Sequence, residues 1–326
     1  MITTANFNDL VKNARVQWQE GRDEFPSVRS ELAQIVTVGE EDSSHSSLSQ
    51  LPTARRRDEG DDAYKGTPKQ GYTKTLTQAE IALGVDVTKK MRMFDKYGQI
   101  MKRMRAMGKS AERRFELDLA MLLSYAWATT YSNIDGETIT VSTPDGLALI
   151  DEAHTPNGSS STFSNEISTT HDAISPDTLE ALEEKFNDFL DDDGRNIPVI
   201  PDTIVSGRHA PTRHTIKRIL ESEKLQGTTD NDKNTFKGDY KHLVVPFLDM
   251  DSDETRNSDK SKYVFVAALQ GMENGLLIEQ SQGVNFEAPE QVFESGTWQF
   301  QTNALYDLGT LYAAFIAGTK GTGVAV

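Results

Sequence analysis

The longest run of helical patterning lies between Met93 and Thr129. Leu117, Met121, Leu122 and Tyr125 fall at i, i+4, i+5 and i+8, and Phe115, Leu119 and Leu123 widen the same apolar face. This period buries one side of an α-helix, and the segment has no proline and is rich in helix formers. At 1.5 Å per residue the helix would extend roughly 40–50 Å, with a break expected near Gly108. A shorter helical period (Leu10, Val11, Ala14, Trp18) precedes it and is interrupted at Pro26. Around Ile81, Leu83, Val85 and Val87, within Tyr72–Met91, the period becomes two, as in a strand with one sheltered face. Val36–Val38 is a second short stretch with strand character. Between these strands runs "GEEDSSHSSLSQLPTARRRDEGDDAYKGTPKQG", Gly39 to Gly71, with little to pack and dense mixed charge. It is either a disordered loop or a projecting hairpin with strands at its base. A projecting arm is useful when something else lies within reach.

Further along, Asn133–Val141 predicts a hairpin around Asp135-Gly136. "SPDTLEALEEKFNDFLDDDGRN" predicts a helix with Ser175 as N-cap, Pro176 at the first position and Gly194 closing it. A buried strand is expected over Ile197–Gly207, then a helix in "APTRHTIKRILESEKL" and strands in "HLVVPFLDM", "KYVFVAAL" and "GLLIEQSQGVNFEAP". "GTWQFQTNALYDLGTLYAAFIAG" alternates at Trp298, Phe300 and Thr302 and then turns almost wholly apolar. No internal repeat is found. The mixture predicts an α+β protein.

The 326 residues suffice for two or three compact units. No run of about 18 apolar residues exists, so no membrane span is expected. The start, Met1 to Asn6, lacks the features of a secretory signal. Cysteine is absent, which removes disulfides, thiolate metal sites and cysteine nucleophiles and fits an intracellular origin. The 34 basic and 50 acidic residues give a net charge of −16, which argues against a sequence-reading nucleic-acid binder. The charge is uneven. Lys89, Lys90, Arg92, Lys96, Lys102, Arg103, Arg105, Lys109, Arg113 and Arg114 crowd one window that holds only Asp95 and Glu112 as acids.

Two motifs suggest a nucleotide-driven motor: Gly108-Lys109-Ser110, the end of a phosphate-binding loop, and Asp151-Glu152-Ala153-His154, a helicase-type DEAH box. A phosphate loop needs a glycine where this chain has Arg103, and a buried strand where it has the basic helix "DKYGQIMKRMRAM". Without that loop the DEAH residues have no nucleotide to serve. "GLALI" before them could be a short strand, but the polar "TPNGSSSTFSN" follows. Asp249, Asp251 and Asp253 begin like a calcium loop, yet Glu254 replaces its glycine and Lys260 its terminal acid. His45, His154, His171, His209, His214 and His242 are scattered, and no G-x-S-x-G elbow is present. No catalytic residue, metal or cofactor is expected.

The order of elements is the more informative feature, and it resembles the major capsid protein of tailed bacteriophages, with the HK97-type fold. The resemblance covers most of the chain and is carried by "DGLALIDEAHTPNGSSSTFSNEISTTHDAISPDTLEALEEKFNDFLDDDGRNIPVIPDTIVSG". There Asp145, Gly146, His154, Asn165, Leu179, Ala181, Gly194, Val199, Pro201 and Val205 stand in the family's places. The resemblance implies an N-terminal arm (1–35) and an E-loop with flanking strands (36–90) that lies over a neighbouring subunit. It implies a peripheral (P) domain from 91–199 and 286–326, with a spine helix at 93–129, and an axial (A) domain at 200–285. The implied function is structural: pentamers and hexamers forming an icosahedral head around double-stranded DNA, assembled in the bacterial host cytoplasm. Partners would be copies of the chain, packaged DNA contacted non-specifically, and scaffolding, portal and decoration proteins. No long removable N-terminal segment is seen, which fits a separate scaffold. An encapsulin-like compartment sharing the fold is the alternative, and a GKS/DEAH ATPase a remote one. Within the E-loop, Arg55, Arg56 and Arg57 beside Asp58, Glu59, Asp61 and Asp62 offer both signs of charge to a neighbour.

Overall fold

A computed structural model of the chain describes residues 4–48, 51–95, 98–167, 173–224, 233–270, 275–292 and 294–321. Lys96, His171 and the first three residues lie outside them.

The basic, periodic segment forms two helices, α3 (Lys89–Phe94) and α4 (Gln99–Ser124). The break is not at Gly108. It comes before Gly98, which takes a left-handed φ of 62° open mainly to glycine. The Asp95 carboxylate accepts from the backbone N–H of Gln99 (2.7 Å) and Ile100 (3.2 Å), capping the new helix. Gly108 sits buried inside α4, where helix α1 (Thr4–Asp23), followed by the short α2 (Arg29–Leu32), crosses it. A Cβ there would collide with the Trp18 carbonyl, and one at Gly21 with the Arg105 carbonyl. Close approach therefore requires both glycines. Ala14 and Trp18 of α1 pack with Ile100, Met104 and Met107 of α4 and with Val87, Phe286 and Phe300. The helical part of the arm is thus fastened to its own chain.

The rest of α4 enters the main core. Phe115, Leu119, Met121, Leu122 and Leu123 meet Ile278, Ala304, Tyr306, Leu248 and Phe265. Above the helix lies a five-stranded sheet ordered β1 (Gln34–Thr37), β10 (Leu276–Phe286), β12 (Thr297–Thr310) and β11 (Glu290–Val292), with β4 (Ala79–Val87) also paired to β12. The expected Tyr72–Met91 strand is two strands, because Gln78 separates β3 (Gln70–Thr77) from β4. Strand β4 runs antiparallel to β12, Val85 opposite Phe300 and Val87 opposite Trp298.

A four-stranded sheet, β13 (Ile316–Thr319), β9 (Val264–Ala267), β7 (Thr203–Ser206) and β8 (Lys241–Val244), is buried along β7, β9 and β13. Helices α5 (Pro176–Lys185) and α6 (Ala210–Glu221) cover it through Leu179, Leu182, Ile216 and Ile219. Neither sheet is confined to residues 200–285. Strand β10 belongs to the first sheet, and the near-terminal β13 crosses into the second.

The hairpin around Gly136 forms as β5 (Thr130–Ser132) and β6 (Thr138–Thr140). Ser175 caps α5 by accepting from Thr178 N–H at 3.1 Å, as expected. Gly194 does not close that helix, which ends at Lys185 and continues as a 3₁₀ turn through Asp188. The Asp191 side chain accepts from the N–H of Asp193 (3.0 Å) and Arg195 (2.8 Å), building a separate turn in which Gly194 supplies the positive φ. The Ile197–Gly207 strand shrinks to β7, since Pro198 and Pro201 offer no N–H for a ladder.

Candidate functional site

Strand β2 (Asp42–Leu48) pairs antiparallel with β3, so the charged segment has a hairpin base. From 51 to 69 the chain has no helix or strand, and Arg55, Arg56, Arg57, Asp58, Glu59, Asp61 and Asp62 are all exposed. Gly60 takes φ 94° in a turn closed by Asp61 N–H donating to the Asp58 carbonyl at 3.2 Å. The Arg55 guanidinium lies over the Tyr64 ring, 4.0 Å from its centroid. Among the described residues, none of these seven side chains has an ion-pair partner. The tip brings both signs of charge together and, apart from the Arg55 contact with Tyr64, leaves them unpaired among the described residues.

The base is fastened to the body at both ends. Toward the tip, Ser47 donates to Asp192 and Lys69 pairs with Asp193, both at 2.5 Å, while the Asn157 amide donates to the Gln70 carbonyl at 3.2 Å. The Lys69 ammonium holds the Asp193 carboxyl below its usual range. Nearer the body, His45 and Lys74 are cross-strand neighbours on the hairpin, and Glu279 and Asp307 are cross-strand neighbours on the first sheet. The His45 ring nitrogen lies 2.5 Å from the wholly buried Glu279, which also accepts from Ser43. Lys74 donates to the Ser142 carbonyl at 2.6 Å. Burial lowers its pKa to about 8, against the pull of Asp307. The Asp307 carboxyl is itself pushed up by burial, although it accepts from Thr77 N–H at 3.1 Å. A basic pair on the hairpin thus meets an acidic pair on the sheet. Neither pair is visible in local patterning, because "DSSHSSL" carries no alternation and its partners lie more than 200 residues on. The sequence reading missed them.

The motor motifs dissolve in the structure. Lys109 and Ser110 are exposed positions of an unbroken helix, so no loop wraps a phosphate there. "GLALI" is not a strand: Gly146 takes φ 84°, and Thr143 N–H donates to the Leu147 carbonyl at 2.9 Å, making a turn. His154 is buried, its Nδ1 2.8 Å from Asp145 and its ring on Phe163, with one bridge between the two backbones. It ties two loops together through an isolated bridge. The acidic turn is held by cations: Arg208 and Arg256 each reach Asp249 at 3.0 Å, and Lys260 reaches Asp251 at 2.8 Å.

No curated protein matches the sequence. A family model described as "Phage capsid protein" matches residues 71–321, from β3 to the end of the second sheet. The chain belongs to that family. In fold, this capsid protein is similar to the capsid of Ralstonia phage GP4, at 13% identity over 92% of this chain and 89% of that one, with a TM-score of 0.54. A chain from Gordonia phage Cozz gives 10%, 90%, 85% and 0.53 in the same order. The bacteriophage PhiM1 mature capsid gives 12%, 92%, 88% and 0.51. At such identities the likeness is one of fold, and the α+β architecture is of the HK97 type. Membership of a capsid family makes the chain a structural protein. Its candidate site is therefore a set of surfaces, and the charged tip at 55–62 on its fastened base is the most sharply defined of them.

Proposed function

We propose that this capsid protein self-assembles into pentamers and hexamers that close an icosahedral head around double-stranded DNA. The observation that carries this reading is the E-loop. A charged tip that forms no ion pair among the described residues stands on a base held by His45–Glu279, Ser47–Asp192 and Lys69–Asp193. Such an arm extends an interface without requiring a larger core, and ring-forming, head-to-tail contacts suit a shell built from one repeated chain. In this reading residues 1–35 are the N-arm, 36–90 the E-loop with its flanking strands, 91–199 and 286–326 the P domain, and 200–285 the A domain. Strand β10 then bridges the A and P segments. Arg55 to Asp62 would meet a neighbouring copy, and scaffolding, portal and decoration proteins would join during assembly in the host cytoplasm. A cargo-enclosing compartment has no observation of its own in its favour.

The test is electron microscopy with sedimentation on the full chain, expressed alone and with candidate scaffold proteins. Closed shells, or rings of five or six copies, are expected. A monomer under every condition would overturn the proposal, and shells filled with enzyme in place of DNA in infected cells would redirect it to the compartment reading.

A further inference from the structure

The basic window around α3 and α4 splits into matched and unmatched cations. Arg105 pairs with Glu24, Arg113 reaches Glu254 at 2.5 Å, and Arg114 reaches Asp118 at 2.9 Å. Lys89, Lys90, Lys102, Arg103 and Lys109 are exposed and, among the described residues, form no ion pair, although Lys109 is near enough to Glu24 to help lower its carboxyl pKa. The acids nearby in sequence are mostly committed, with Asp95 capping α4 and Glu112 buried against Arg29 at 2.8 Å, while Asp86 is exposed on β4. Lys102, Ala106 and Lys109 stand at i, i+4 and i+7, opposite the side on which Ile100, Met104, Met107 and Gly108 are buried.

We infer that this face of α4 contacts the phosphate backbone of double-stranded DNA without reading its sequence. The inference rests on the head-forming role proposed above and places one of its partners. Lys102 and Lys109 lie about 10 Å apart along the helix. A duplex running alongside offers one negative charge per roughly 1.7 Å, so both ammonium groups can reach phosphates. Ala106 and the Glu24-paired Arg105 lie between them, whereas the centre of a protein–protein contact favours aromatic and apolar groups and is depleted in lysine. With a net charge of −16 the chain as a whole repels DNA, which favours contact at a locally basic face such as this one. Few contacts per subunit would let packaged DNA move while still screening it from the acidic shell.

The test is binding of a labelled linear DNA duplex by the full chain across a salt series, read by fluorescence anisotropy, beside electron microscopy of the same preparations. Wild type is expected to bind regardless of duplex sequence. Lys102→Ala/Lys109→Ala should weaken binding on the order of tenfold at low salt and lower the slope of log affinity against log salt by about 2. Lys102→Arg/Lys109→Arg should restore both, and shells should form in either variant. No duplex binding by wild type, or equal binding by the alanine variant, would overturn the inference. So would an alanine variant that folds, by circular dichroism, but no longer assembles, because the face would then be a protein contact. Failure of wild type to form any shell would count against the assembly role itself, a readout independent of the DNA titration.

Discussion

Single atoms decide two features of this capsid protein. At Gly108 the backbones of α1 and α4 touch, and a Cβ would have to displace the Trp18 carbonyl. Gly108→Val should therefore destabilise the subunit by about 1–3 kcal/mol, the usual cost of overpacking. Ala106→Val, on the exposed side of the same helix, should stay within about 0.5 kcal/mol. Urea unfolding of both variants checks this, and equal midpoints would remove the crossing glycine from the account. Lys74 makes the second case. Its pKa is lowered from 10.5 to about 8 because burial penalises the ammonium. Between those values the unfolded chain binds the proton more readily than the folded one, so stability rises with pH from about 8 to 10.5. The gain should approach about 3 kcal/mol at most, at roughly 1.4 kcal/mol per pKa unit. Lys74→Met should lack this rise. Parallel urea titrations across that pH range that rise equally in both proteins would show that Lys74 is not the group responsible.

Elements register the same physics over longer spans. Without the two N–H groups that Asp95 satisfies, α4 would begin with unpaired donors, so Asp95→Ala should cost about 1 kcal/mol. Hydrogen exchange should show the loss in the first turn of α4, and unchanged protection at Ile100 would contradict the capping role. The periodic run that forms α4 was legible because Phe115, Leu119 and Leu123 repeat on one face, and the α5 start because Ser175 and Pro176 are an N-terminal signature. The break was misplaced because a glycine alone does not say whether it ends a helix or admits a neighbour. Gly98 does the first and Gly108 the second, and only the position of α1 distinguishes them. Pairing partners were equally hidden. Strand β4 finds β12 more than 200 residues away, and β1 joins β10 in parallel, with Ile35 opposite Ile278. Of the candidate site, the charged tip was visible from its composition alone. The His45–Lys74 pair under it was not, since its acidic partners meet it only when two distant ladders stack.

For the whole molecule, the proposed E-loop separates into a fastened base and an exposed tip, and what each does can be measured. Its base contributes to the subunit, through a buried carboxylate and several hydrogen bonds; its tip adds the Arg55 contact with Tyr64 and, among the described residues, no ion pair. Removing Arg55–Asp62 shortens a loop whose closure cost changes by only about 0.6 kcal/mol for each doubling of length. The isolated subunit should accordingly unfold at the same urea concentration as wild type. If the tip meets a neighbouring copy as proposed, assembly should respond differently, because each exposed ion pair, worth about 0–1 kcal/mol, would be lost at every equivalent contact of the shell. Fewer closed particles, or a higher protein concentration needed to form them, is the expected outcome by electron microscopy and sedimentation. His45→Ala provides the converse case. It leaves the tip chemistry intact but opens the base beside Glu279, so it should lower subunit stability first and affect assembly only through the altered presentation of the arm. If the tip deletion yielded normal, equally stable shells, the unpaired charges at 55–62 would have no role in joining subunits, and the inter-subunit contacts would have to be sought on the helical and second-sheet surfaces.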